Sequence, residues 1–382
     1  MKNCKRFKIL SVVGARPNFI KIAPFCSAIK SHKNIDHCLV HTGQHYDAQM
    51  SDSFFKDLEI PTPDFNLNVG SASHAVQTAK IMIEFEKVLK KAQPNVVVVV
   101  GDVNSTLACS LVASKMGFPV AHIEAGLRSF DRTMPEEINR ILTDSISDIL
   151  FTSCTDANRN LLKEGLPKNR IFFVGNIMID SLRANQAKAN KQRVLELLGL
   201  KKGGFCLVTL HRPSNVDNLN ILIEIFSALE VIQRHLKVIF PVHPRTQINI
   251  NKLIKTGKIK KSDNLLLIKP LSYLSFFNIL QRAKFVITDS GGIQEETTVL
   301  GIPCLTVRTN TERPITEEIG TNILVGSDKK ALIKESLKVL TGKGKKGTIP
   351  KYWDGNTAKR IIKILIRLHT QNILFRYPKS QS

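Results

Sequence analysis

Residues 96–106 read Val96-Val97-Val98-Val99-Val100-Gly101-Asp102-Val103-Asn104-Ser105-Thr106. Five consecutive β-branched residues suit a strand buried on both faces, the habit of parallel sheets covered by helices. The run stops at Gly101 and delivers Asp102 to the strand's carboxyl end. A helix-like stretch, residues 105–116, follows.

The same unit recurs on either side. Residues 7–13, 38–41, 120–123, 149–153 and 171–174 are short apolar runs, and residues 73–91 are helix-like. Strands alternating with helices at this spacing imply βαβ units and a parallel sheet. The pattern restarts near Gly203, with strands expected at 205–210, 238–241, 265–268, 285–288 and 304–307. Residues 183–202 are polar and helix-prone and suit the link. The expected fold is α/β: two doubly wound Rossmann-like domains facing a cleft. Ligands of such sheets bind beyond the carboxyl ends of the strands, so the polar strand ends mark the expected site.

Composition narrows the class. The chain has 382 residues, 43% of them hydrophobic and 23% charged, an ordinary globular balance. No apolar run approaches the roughly 20 residues of a membrane span, and the basic N-terminus leads only into a short strand. A cytoplasmic protein without membrane insertion is expected. Its seven cysteines show no metal-ligand spacing and read as reduced thiols, so no metal site is expected. The net charge of +23 favours anionic partners. The lysines are spread along the chain and not interleaved with aromatics, which argues against a specific nucleic-acid site.

The strand ends carry the chemistry. The first runs into GARPNFIK, residues 14–21, where Gly14 permits a tight turn and Pro17 suits a helix start. A helix N-terminus favours anions, and Arg16 and Lys21 add positive charge. The second ends in HTGQHYD, residues 41–47, dense in hydrogen-bonding side chains, with Thr42 or Asp47 as a possible cap. The run above ends in Asp102, and the next ends in HIEAGLR, with Glu124 at the same rim. Two carboxylates from neighbouring strands form an acid–base pair when like charge raises one pKa. An amphipathic helix then opens with Pro135-Glu136-Glu137, where Glu136 and Arg140 are four residues apart and are expected on one face.

In the second half, one strand ends in His211-Arg212-Pro213 and another in His243-Pro244-Arg245. Two histidines with nearby arginines suit an anion-facing surface, and His211 has the chemistry of a general acid or base. Residues 285–296, FVITDSGGIQEE, feed a strand through a small turn into a helix. The backbone at Ser290, Gly291 and Gly292 suits a diphosphate, and Glu295 or Glu296 suits ribose hydroxyls. No GxxxxGK[ST] sequence is present, which excludes a P-loop nucleotidase.

Taken together, GARPNFIK, HTGQH, GDVNSTLA, HIEAGLRSF, MPEEINR, LHRPSNVD, DSGGIQEE and TERP resemble, in order and across nearly the whole chain, the non-hydrolysing UDP-N-acetylglucosamine 2-epimerases. The resemblance implies a glycosyltransferase-B fold with no cofactor and no metal, and a homodimer acting on a UDP-N-acetylamino sugar. It implies domains at 1–180 and 181–356, the first carrying the acid–base residues and the second binding UDP, and a helix in 357–382 that crosses back to the first. It implies elimination of UDP across carbons 1 and 2, re-addition through a 2-acetamidoglucal, and a product that feeds surface polysaccharide. It makes Asp102, Glu124, Glu136 and His211 the catalytic candidates. Arg16, Lys21, Arg140, Phe276, Ser290, Gly291, Gly292, Glu296 and Arg313 become the substrate-binding candidates.

Some positions depart from the family's pattern. Gln44 and His45 match the loop that holds a second, activating UDP-GlcNAc in some bacterial members, but the GSASH stretch lacks the further glutamine. LHRPSNVD replaces the Arg-Glu that often follows the His-Arg pair. Both argue against allosteric activation and toward a relative acting on a modified sugar, such as a 2,3-diacetamido uronic acid or a 6-deoxy sugar. Hydrolysing epimerases usually carry arginine after the Gly-Asp pair, where Val103 stands. The paired carboxylates argue against a glycosyltransferase.

Overall fold

The computed structural model describes residues 6–44, 55–260 and 262–374. Cys4, His45, Tyr46 and Asp47 lie outside them. The chain forms two compact units, residues 1–184 with 351–382, and residues 185–350. The divisions fall at 184/185 and 350/351, beside the 180/181 and 356/357 expected from sequence. The helix Ile177–Asn190 runs through the first of them.

The first unit is built on seven parallel strands: β1 (Phe7–Val13), β2 (Ile35–His41), β3 (Phe65–Asn66), β4 (Val96–Val100), β5 (Val120–Ala125), β6 (Ile149–Thr152) and β7 (Ile171–Phe173). Their order is β3-β2-β1-β4-β5-β6-β7. The five valines of β4 are almost completely buried because helices cover both faces of the sheet. Helices His74–Ala92 and Asn104–Lys115 pack on one another and bury Ile81, Phe85, Leu89 and Cys109 against the strands.

The helix Thr357–Thr370 belongs to this unit and packs against the helix Arg16–Ile29. Its apolar stripe, Ile361, Ile362, Leu365 and Leu368, is buried, while Lys359, Lys363 and Arg367 are exposed. The Asp180 carboxylate caps it by accepting from the backbone N–H groups of Thr357 (3.1 Å) and Ala358 (2.8 Å). Just before it, Trp353 is fully buried and its indole N–H donates to the Ser153 carbonyl at 2.9 Å.

The second unit holds six parallel strands: β8 (Phe205–Thr209), β9 (Lys237–Pro241), β10 (Leu265–Ile268), β11 (Phe285–Thr288), β12 (Cys304–Thr306) and β13 (Asn322–Leu324), in the order β10-β9-β8-β11-β12-β13. Its core gathers Phe226, Phe240, Phe285, Leu222 and Ile232. Sequence patterning misses β3 and β13, which are two and three residues long, too short to show a period.

Candidate active site

In each sheet the strand order reverses once, between β1 and β4 in the first unit and between β8 and β11 in the second. Connections leave in opposite directions there, so the carboxyl ends of these strands open onto a crevice instead of a covering helix. The turns after β1, β4, β8 and β11 carry Arg16, Asp102, His211 and Ser290. These are four of the residues singled out from sequence.

The first unit brings its acids together with cations. After β1, Arg16 stands exposed as the first residue of its helix and Pro17 as the second. Asn18 pins the turn: its side-chain oxygen accepts from the Gly14 and Ala15 N–H groups, and its amide donates to the Val100 carbonyl at 2.8 Å. Gly14 is required by contact, since a Cβ there would lie 2.1 Å from the Ser105 hydroxyl and 2.5 Å from that of Thr42. Gln44 is buried and accepts from the Ser105 hydroxyl at 2.6 Å, so its side chain holds the turn after β4.

Asp102 is partly exposed, and its Oδ2 accepts from Arg140 at 2.5 Å. Asn139 donates to the Asp102 carbonyl at 2.9 Å. Glu124, at the end of β5, is buried and ion-paired with Lys21, itself 6% exposed. Its backbone sits in the left-handed region at φ 77°, where the β5–β6 register shifts between Ile123 and Ala125. A non-glycine residue there costs on the order of 1–3 kcal/mol and persists only when its surroundings fix it. Each of the two carboxylates is therefore ion-paired, Glu124 with Lys21 and Asp102 with an arginine.

The pairing in the helix Pro135–Ile146 differs from its reading. Glu136 is exposed in the helix's first turn and Arg140, four residues on, is 3% exposed. Arg140 instead pairs with the buried Glu137 at 2.7 Å, three residues before it. Glu137 in turn accepts from the Ser129 and Phe130 N–H groups and fixes the loop after Glu124.

In the second unit Asp289, fully buried after β11, is the organiser. It accepts from His211 Nδ1 at 2.9 Å, from the backbone N–H groups of His211 and Arg212, and from the Asn215 amide at 3.0 Å. Burial alone would push the Asp289 carboxyl up, but the bonds from His211, Arg212 and Asn215 more than offset it and hold it below the usual carboxylate range. The His211 side chain is 56% exposed.

The turn then passes Ser290, half-buried, into the helix Gly291–Leu300, whose first N–H groups are those of Gly291 and Gly292. Gly291 is required because a Cβ would lie 2.4 Å from the Arg313 guanidinium. Arg313 is 6% exposed and held by Glu295 (2.7 Å) and Glu312 (2.5 Å). Glu296 is buried close enough to Tyr273 to add its charge to the burial that pushes the Tyr273 phenol up. Phe276, three residues along the same helix, is half-buried.

Sequence reading overlooked Asp144, Asp289 and Glu312, the carboxylates that hold other site residues in place. Asp289 was visible as the first letter of DSGG, and its position at a strand end was the available signal. Among the described residues, no cluster of three or more histidine, cysteine or acidic side chains suits a metal, and no helix is long and apolar enough to cross a membrane.

Comparison with known proteins follows the same lines. The family model described as UDP-N-acetylglucosamine 2-epimerase matches residues 27–366. UDP-N-acetylglucosamine 2-epimerase of Methanocaldococcus jannaschii is 44% identical over 365 residues, 94% of this chain and 98% of the relative. A crystal structure of the M. jannaschii UDP-GlcNAc 2-epimerase in complex with UDP-GlcNAc and UDP matches with a TM-score of 0.86 and 44% identity, over 94% of this chain and 99% of that one. UDP-2,3-diacetamido-2,3-dideoxy-D-glucuronate 2-epimerase of Pseudomonas aeruginosa is 42% identical over 94% of this chain and 100% of its own. Phytolacca americana UGT2, complexed with UDP-2fluoro-glucose and pterostilbene, matches at 13% identity with a TM-score of 0.56, over 96% of this chain and 94% of that one, a likeness of fold alone. The fold is of the glycosyltransferase-B type.

Proposed function

Because the chain belongs to the UDP-N-acetylglucosamine 2-epimerase family, we propose that it interconverts UDP-GlcNAc and UDP-ManNAc without hydrolysis, by elimination and re-addition of UDP. The observation that carries the reading is the pair of carboxylates, Asp102 and Glu124, on adjacent strand ends, each ion-paired with a cation.

Carbon 2 of the sugar has no carbonyl of its own or ring neighbour to acidify its proton, so the reaction gains from losing a good leaving group at carbon 1. A carboxylate takes the carbon 2 proton, the carbon 1–oxygen bond breaks, and its electron pair leaves with UDP. This gives a 2-acetamidoglucal. An acid then protonates carbon 2 on the opposite face, and the UDP oxygen re-forms the bond to carbon 1. Asp102, Glu124 and Glu136 share these proton transfers, with His211 as a further acid–base group. The second unit binds UDP: the Ser290, Gly291 and Gly292 backbone meets the diphosphate, Glu296 the ribose and Phe276 the uracil. Arg16 faces the anion. Lys21, Arg140 and Arg313 hold carboxylates in place and lend N–H donors to the bound UDP-sugar.

A second reading has its own support, since the diacetamido-glucuronate relative is 42% identical, almost as similar as the 44% of the UDP-GlcNAc relative. The test is incubation with each UDP-sugar in deuterated water, followed by proton NMR. A 2-epimer carrying deuterium at carbon 2 identifies the substrate. Absence of exchange with UDP-GlcNAc and exchange with the uronate would replace the first reading with the second. We further propose a cytoplasmic homodimer supplying a surface polysaccharide, on the strength of the family resemblance; light scattering checks the dimer.

A further inference from the structure

We propose that His122 is held doubly protonated, as a buried imidazolium that positions the turn carrying Asp102. The inference rests on the acid–base reading above for its functional half and on geometry alone for its charge.

The ring is completely buried in β5. Its Nδ1 lies 2.7 Å from Asp144 Oδ1, and its Nε2 lies 2.8 Å from the Gly101 carbonyl oxygen. A carbonyl oxygen only accepts, and so does an ionised carboxylate. Each ring nitrogen must then donate, and a ring that donates twice is charged. The alternative is a protonated Asp144 donating to Nδ1. Its surroundings oppose that: Oδ2 accepts from the Gly126 N–H at 3.0 Å and is paired with Arg128 at 2.7 Å. Burial would push the Asp144 carboxyl up, but His122 and Arg128 more than offset it and hold it below the usual range.

Arg128 also binds Glu164 through two bonds, at 2.7 and 2.6 Å, and the Glu164 side chain is 36% exposed. Arg128 is thus divided between two carboxylates, and an imidazolium at His122 gives the fully buried Asp144 a cation of its own.

The arrangement also has a mechanical result. Through His122, Asp144 holds the carbonyl of Gly101, the left-handed residue directly before Asp102; through Oδ2 it holds the N–H of Gly126, two residues after the left-handed Glu124. One buried pair fixes both turns that present the acids. His122 and Asp144 are thus positioning residues.

Neutron diffraction from deuterated crystals at about pH 8, above the free imidazole value of about 6.5, reads the ring directly. Deuterons on both nitrogens of His122 are expected, and a single deuteron overturns the inference. Asp144→Asn keeps the shape and removes the charge. Its kcat should fall on the order of a hundredfold with KM within about twofold, as for a small misplacement of reacting groups. An unchanged kcat, or a loss expressed in KM, overturns the positioning role. The neutron result does not depend on turnover, so it stands even if wild-type protein proves inactive on UDP-GlcNAc and the functional reading fails.

Discussion

Among the described residues, each unit pairs a histidine in or just after a parallel strand with a buried aspartate, and the two pairs differ in what surrounds the ring. His122 and His211 both place Nδ1 on a fully buried aspartate, at 2.7 and 2.9 Å. Both aspartates are held below the usual carboxylate range despite their burial. His122 is sealed, and the Gly101 carbonyl takes its second nitrogen. His211 has more than half its side chain in solvent, and its aspartate spends its remaining capacity on backbone N–H groups. The same two residue types form a fixed internal tie in one place and an imidazole presented to solvent in the other. The difference lies in whether a second acceptor closes over the ring.

The largest effect is expected where the ring is presented. His211→Ala should lower kcat by roughly 10²–10⁴-fold, the range for a lost general acid–base group. Its stability should stay within about 1 kcal/mol in a denaturant titration, since the side chain is half-exposed. A large loss of stability with activity retained would make His211 a structural tie like His122.

Removing the aspartates should reverse the ranking. Asp144→Ala leaves Arg128 and His122 buried without their shared anion and should cost about 3–5 kcal/mol, by thermal or chemical unfolding. Asp289→Ala leaves backbone donors and a half-exposed ring and should cost about 1–3 kcal/mol. Equal losses would break the comparison.

The smallest effect is in acid. A carboxylate with a depressed folded pKa contributes stability in full above its unfolded value, about 3.9, and loses it as pH falls through the lower folded value. Unfolding temperature should therefore drop steeply below about pH 3.9, and Asp144→Asn should flatten that limb more than Asp289→Asn does. Melting curves across that range measure both slopes.

What the sequence revealed and what it hid follow from the range of the interactions. Buried parallel strands announce themselves by unbroken apolar runs, and β4 is read from Val96–Val100 to the residue. The polar residues that follow such runs were legible for the same reason. Helix phase was less so. Glu136 and Glu137 are one position apart, a rotation of about 100°, and only packing decides that Glu137 turns inward to Arg140. The organising carboxylates were hidden altogether. Asp144 meets His122 across 22 residues and Asp289 meets His211 across 78, and no local pattern encodes a partner at that distance. The left-handed backbone of Glu124 was equally silent, because a residue without glycine's freedom is held there by its neighbours.

The first unit is not contiguous in the chain, and this bears on how the protein is made. A ribosome moving from the N-terminus completes residues 185–350, the entire second unit, before it reaches the last segment of the first. Until residues 351–370 emerge, the face of Arg16–Ile29 that meets the final helix has no cover, and the site that receives Trp353 is unfilled. A nascent chain stalled after Pro350 would pair a finished second unit with an unfinished first. Domains generally fold as units in the order of synthesis, but here the earlier half must wait for the later one. That interval makes loss of residues 351–370 far more damaging than their distance from the acid–base groups in the sequence suggests.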